Sequence, residues 1–342
     1  MPAALDLLLS SPLADAADRA AALDRAGLAG LFTYEGQGDP FFPIARAADH
    51  TNGLLYTNIA VALPRSPMHL AQQAWDLQRL SNGRFALGVG SQIKAHVERR
   101  FGAVWESPVQ QMAEWIEAIR AIFATWQHGE PLAFEGRWTR HTLMPPALTP
   151  PPIEAGPPPI WAGALGPRMT EMVGRIADGV VVHPFTSRHH VLERTIPALE
   201  AGAASRAESL APLTRVIGAI VGLHDGTESS QQRAEAVVRG TLGFYGSTPA
   251  YRSVLDAHGW GDLQPELREL TKTGRWDQLG SRYDAEQVAT LAIIGTPDVV
   301  ADELHHRFVG IADRVALSMP DEPEIELIAA LCDRYADGPP AA

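Results

Sequence analysis

Short apolar runs alternate with helical, alanine- and leucine-rich stretches over most of the chain. The first run is Leu5-Asp6-Leu7-Leu8-Leu9, and the stretch from about Leu13 to Ala26 reads as a helix ended by Gly27. Leu28 to Thr33 is a second strand, Pro40 to His50 a second helix, Leu54 to Ala62 a third strand and Pro67 to Leu80 a third helix. Ser81-Asn82-Gly83 is turn chemistry, and Arg84 to Val89 is mostly apolar, as a strand buried on both faces should be. This alternation predicts parallel βαβ units. Ser107 to Trp126 carries Met112, Trp115, Ile116, Ile119 and Phe123 at helical spacing, which reads as a core face. Further strands follow at Ile160 to Ala162, Gly179 to Val182, Leu213 to Leu223 and Asp313 to Ser318, with helices between them. Thr296 and Pro297 cap and start a helix running to Phe308, and Glu322 to Tyr335 is the final helix. Eight strands with their helices predict an α/β TIM (β/α)8 barrel, one domain over residues 1–342. Two segments break the rhythm: a proline-rich excursion at about 130–159 and an insertion at about 245–290, of the kind that forms lids or oligomer contacts.

At 342 residues and 46% hydrophobic content the chain can bury a sizeable core. A formal net charge of −12 argues against general nucleic-acid binding and leaves room for a local basic pocket around a small anion. The single cysteine, Cys332, excludes an internal disulfide and suits a reducing compartment. No apolar run reaches the roughly 18 residues of a membrane span, and the N-terminus lacks the pattern of a signal peptide. The reading is a cytoplasmic protein.

In α/β folds ligands gather past the carboxyl ends of strands. Gly88 and Gly90 permit a close approach to the backbone there, and Ser91, Gln92, Lys94 and His96 crowd polar groups just beyond. Gly163-Ala164-Leu165-Gly166-Pro167-Arg168 joins the fifth strand to its helix. Glycines, a helix N-terminus and an arginine coincide, which reads as an anion site against the alternative of an ordinary tight connection. Gly88-Val89-Gly90 does not begin a dinucleotide fingerprint, because Ile93 stands where the third glycine belongs. Glu35, past the second strand, is either a buried acid–base group or a solvated loop acid. His183 ends the sixth strand and reads as a structural histidine. His189-His190 and His305-His306 fall in helices and point in different directions, and no H-E-x-x-H or cysteine cluster occurs, so no metal site is expected.

Several stretches together resemble the luciferase-like monooxygenase superfamily, and within it the oxidoreductases dependent on the deazaflavin coenzyme F420. They are Thr33-x-Glu35, Asp39-Pro40-Phe41, Thr51 through Ala62 with Arg65-Ser66-Pro67, and Leu80-Ser81-x-Gly83-Arg84-Phe85-x-Leu87-Gly88-Val89-Gly90-Ser91-Gln92. Gly163 to Met169, Ala177-Asp178-Gly179, Tyr245 to Pro249, His258-Gly259-Trp260 and Gly295-Thr296-Pro297 extend the resemblance over nearly the whole chain. It implies a cofactor at the carboxyl-end mouth of the barrel, F420 with FMN as the alternative. It implies a cis peptide at Asn58-Ile59, with Ala60 and Val61 beside it, bulging the third strand against the cofactor ring next to Thr33. Ser91 and His96 match positions near the cofactor's side chain and phosphate. Gly163, Ala164, Gly166 and Pro167 match the phosphate loop, which Arg168 follows. Other TIM barrels commonly bind phosphate after strands seven and eight, so this placement rests on the resemblance. Some F420 dehydrogenases carry an Asp-His pair after strand two. Here the region reads Thr33-Tyr34-Glu35-Gly36, and Ile93 stands where those enzymes have a glutamate, which argues against a sugar-phosphate dehydrogenase. The resemblance implies hydride transfer to or from a small-molecule substrate, Glu35 handling the proton, in a homo-oligomer expected to be a dimer. An FMN-dependent monooxygenase and a barrel that binds flavin without turnover are the rival readings.

Overall fold

The computed structural model describes residues 2–338. Eight parallel strands close a ring: β1 (Ala4–Leu8), β2 (Gly30–Thr33), β3 (Leu54–Thr57), β4 (Phe85–Gly90), β5 (Ile160–Ala164), β6 (Gly179–Val182), β7 (Thr214–Leu223) and β8 (Arg314–Ser318). Each pairs with the next, and β8 returns to β1 from Ala4↔Arg314 to Leu7↔Leu317. The fold is the expected TIM barrel. Its strands are apolar on both faces because helices cover one face and the ring's interior the other.

Phe32, Tyr56, Ala86, Trp161, Val181, Val216 and Ala316, one from each of β2 to β8, fill the interior. Large meets small: a Cβ on Gly179 would lie 2.5 Å from the Trp161 ring. β1 contributes Asp6 instead, which is wholly buried. Its carboxylate accepts Arg314 Nε at 2.7 Å, Arg314 Nη2 at 2.5 Å and the Tyr56 hydroxyl at 2.9 Å. Burial raises the Asp6 pKa, and the Arg314 bonds and charge oppose that rise. Outside the ring, helix Pro108–His128 buries Met112, Trp115, Ile116, Ile119 and Phe123, the core face its spacing predicted.

Four details depart from the sequence pattern. β3 stops at Thr57 instead of running to Ala62, and Ala60–Val61 resumes pairing with β4 as a separate piece. Ala292–Gly295 is an additional strand on the upper half of β7, from Ile220↔Ala292 to Leu223↔Gly295. Four residues between two helices are too few to show a period of their own. His96 lies in a short helix, Lys94–Arg99, and not in the loop after β4. Thr296 occupies the N-cap position of helix Pro297–Phe308, but its side chain makes no capping bond.

Both irregular segments are anchored. The Glu114 carboxylate accepts the backbone N–H groups of Arg137, Trp138 and Thr139 at 2.8, 2.8 and 2.7 Å, which ties the proline-rich excursion to the long helix. The insertion after helix Glu228–Gly246 packs Val254, Leu255, Leu267 and Leu279 against Phe185 of the β6 loop and Ile220 of β7. It therefore stands over the β6–β7 side of the barrel. No helix among the described residues is long and apolar enough to cross a membrane.

Asp6→Ala would leave Arg314 and the Tyr56 hydroxyl without their acceptor inside the ring. Urea unfolding should show a loss of about 3–5 kcal/mol.

Candidate active site

The mouth at the carboxyl ends of β2 to β5 is shaped by one bulge. Between the pairs Tyr56↔Ala86 and Ala60↔Val89 the β3 side advances one residue more than β4. The Asn58-Ile59 peptide in that gap is cis. Thr57 braces it: its Oγ1 donates to the Gly88 carbonyl at 2.7 Å and accepts the Gly88 N–H at 3.0 Å. Only glycine fits opposite, because a Cβ on Gly88 would come 1.8 Å from the Thr57 carbonyl oxygen. On the other side, Asn58 N–H donates to Thr33 O at 2.6 Å and Glu35 N–H to Ile59 O at 3.2 Å.

Glu35 clasps the far end of the bulge. Its Oε2 accepts the Val61 N–H at 2.7 Å and Arg65 Nη1 at 2.5 Å. Arg65 also donates to Val61 O at 3.0 Å and to Asp39 Oδ2 at 3.1 Å, and its own carbonyl accepts Trp115 Nε1 at 2.7 Å. Glu35 is 8% exposed, so of its two sequence readings the solvated loop acid is excluded. Its Oε1 has no protein donor among the described residues and is not among the buried polar atoms that lack a bond, so that one oxygen reaches solvent. Arg65 and Asp39 were named from the sequence only within the motifs of the resemblance and were given no role at the site. The visible signal was Arg65-Ser66-Pro67, a cation in the turn that follows the bulged strand.

The remaining residues named from the sequence fall in three groups. Ile59 is central: Cβ atoms on Gly90 and Gly163 would lie 2.8 and 3.3 Å from its side chain, so these glycines make room for it. Ala60 and Val61 are fully buried and offer only backbone, and the Thr33 hydroxyl is bonded to Pro40 O at 2.6 Å. At the β5 end, Ala164 is buried while Gly166, Pro167 and Arg168 are exposed at the start of helix Pro167–Ile176. An added Cβ on Gly166 would meet nothing within 4 Å, and Arg168 has no side-chain partner among the described residues. Ser91 donates to Gln92 O at 3.1 Å; His96 is exposed, and its ring contacts none of the others through a hydrogen bond.

A second rim lies at the end of β6. His183 Nδ1 accepts the Phe185 N–H at 3.1 Å. The ring stacks on Tyr251 at 4.3 Å and meets Tyr245 edge-on at 4.6 Å. Burial pulls the His183 pKa well below the ordinary histidine value, so the imidazole is neutral at pH 7. Among the described residues no group of three or more His, Cys, Asp or Glu side chains is arranged to hold a metal.

A barrel with this bulged third strand and this open loop after β5 has clear relatives. A family model described as luciferase-like monooxygenase matches residues 3–314, and the chain belongs to that family. It is 42% identical over 313 residues to an uncharacterized protein of Mycobacterium tuberculosis, covering 91% of this chain and 92% of that protein. Over 174 residues, 51% of this chain and 50% of the relative, it is 32% identical to the F420-dependent glucose-6-phosphate dehydrogenase of Beutenbergia cavernae. The coenzyme F420 dependent tetrahydromethanopterin reductase of Methanopyrus kandleri shares the fold. Its TM-score is 0.80 at 18% identity, over 98% of this chain and 99% of that one.

Arg65→Ala would leave the Glu35 carboxylate buried with a single N–H donor. Urea unfolding should show a loss of about 2–3 kcal/mol, and adding Glu35→Gln should recover part of it by removing the orphaned charge.

Proposed function

We propose that this protein is an F420-dependent oxidoreductase that moves a hydride between the deazaflavin and a small organic substrate. The observation that carries the proposal is the bulge at Asn58-Ile59, braced by Thr57 and Gly88, clasped by Glu35 and Arg65, and packed through Ile59 against Gly163 of the strand that leads to the open helix N-terminus at Gly166. A flat ring needs a rigid backbone surface, which the bulge offers through Ile59. A phosphate needs unpaired N–H groups and positive charge, which the first turn of helix Pro167–Ile176 and Arg168 offer. The donor set therefore fits a cofactor built of a planar ring and a phosphate. F420 is favoured over FMN because the cofactor appears in the names of the Beutenbergia and Methanopyrus proteins.

When bound, the deazaflavin supplies a carbon that donates or accepts hydride. The chain's part is to hold one ring face against substrate at near-attack distance and to keep water out. Thr33, Asn58, Ala60 and Val61 act through backbone and shape. Ser91 and His96 would border the cofactor's side chain and phosphate, and Gly163, Ala164, Gly166, Pro167 and Arg168 would hold the phosphate. Glu35 handles the proton through Oε1, because Oε2 is committed to Val61 and Arg65. With Oε2 held in place by those two donors, Oε1 is positioned to meet a proton or the ring edge.

Titration of the purified protein should show F420 bound about tenfold or more tightly than FMN. A preference for FMN would favour the monooxygenase reading. Glu35→Gln should slow turnover at least about tenfold with F420 affinity held, and unchanged turnover removes Glu35 from the proton's path.

A further inference from the structure

We infer that the rim between β6 and the insertion seats an uncharged, planar aromatic substrate whose carbonyl oxygen accepts a hydrogen bond from His183 Nε2. This inference rests on the proposed oxidoreductase function and adds the substrate class and the residue that orients it.

The tautomer comes first. Nδ1 accepts the Phe185 N–H, so the one proton of the neutral ring sits on Nε2. No partner for Nε2 occurs among the described residues, and Nε2 is not among the buried polar atoms that lack a bond, so it faces solvent. The sequence reading of a structural histidine accounts for Nδ1 and leaves Nε2 over. The ring is also held in place. Phe185 is fully buried in the insertion's apolar cluster, and a Cβ on Gly218 of β7 would come 2.6 Å from Pro184 N, so the His183–Phe185 turn is pressed onto the barrel. Tyr251 and Tyr245 fix the imidazole from two sides. A fixed neutral imidazole N–H can polarise a carbonyl without bringing a positive charge.

The walls supply the aromatic preference. Tyr245 leads outward to Phe244, at 5.5 Å between ring centroids, and Phe244 to Trp276 at 6.5 Å. Phe244 and Trp276 are 52% and 54% exposed. Tyr34, on the Glu35 loop and 55% exposed, is near enough to add to the burial that raises the Tyr245 pKa to about 12. Arg239, Arg252 and Arg282 face Glu235, Asp256 and Glu266 at 2.9, 3.4 and 3.3 Å, and Arg275 Nε donates to the Thr273 hydroxyl at 2.9 Å; the case against a phosphate ester rests on His183, the neutral donor at the rim.

The test compares 2-acetylnaphthalene with 2-ethylnaphthalene, which has the same ring without the carbonyl, and with glucose 6-phosphate, on the F420-loaded protein. The ketone should bind about tenfold tighter than the hydrocarbon, the worth of one good hydrogen bond. Its carbonyl stretch should move to lower frequency on binding. His183→Phe should bring the two affinities within about twofold and abolish the infrared shift, while His183→Gln, which keeps an N–H donor, should retain part of both. Equal binding of ketone and hydrocarbon to the unaltered protein, an unchanged preference in His183→Phe, or tighter binding of glucose 6-phosphate overturns the inference. An F420 titration of each variant separates the two levels. If F420 fails to bind while the ketone results hold in the unloaded protein, the oxidoreductase reading falls and the aromatic site stands; normal F420 binding without ketone preference overturns the aromatic site alone.

Discussion

One carboxylate oxygen, Glu35 Oε2, holds the mouth of the barrel in shape. It takes the Val61 N–H, within the bulged segment, and the Arg65 guanidinium that follows it. Through Arg65 the contact reaches Asp39 on the loop after β2, and Trp115 on the long helix. Two βα loops and one outer helix are thereby fixed to the same short stretch of backbone. Without that contact Val61 would lose its acceptor, and the loop after β2 would keep the bulge through the Glu35 N–H to Ile59 O bond and the Arg65 link to Asp39. The interior supports the arrangement from the other side, where Thr57 and the glycine opposite it leave no freedom for the strand to slide.

The two rims of the mouth have different chemistry. The clasp side is charged but internally paired, and its exposed features are backbone, a helix start and Arg168. The β6 side is aromatic, with the His183 Nε2–H among the donors it offers. The insertion supplies Tyr251, which stacks on His183, while Tyr245 comes from the last turn of the helix before it.

The ring strands were legible because each is a short apolar run bounded by turn residues, and the helices because their apolar spacing is regular. Asp6 inside β1 gave no warning, since one acid in a strand looks the same whether it faces water or an arginine across the barrel. Thr57-Asn58 was visible as a polar interruption in an apolar run, but the cis peptide there was named only through the resemblance to known barrels. Ala292–Gly295 was hidden because a four-residue strand between helices carries no pattern. At the site, Glu35 was found by its place past a strand, while Arg65 was not, because pairing across thirty residues is a property of the fold. The role of His183 was unreadable for the same reason: its tautomer is set by a backbone N–H two residues on.

The most direct test of the central claim is a crystal structure of the protein grown with F420. The account predicts the deazaflavin ring packed on the Asn58-Ile59 backbone and the phosphate hydrogen-bonded to the turn from Gly166 to Arg168. A ring bound elsewhere in the barrel, or a phosphate held at the β7–β8 loops, would contradict it.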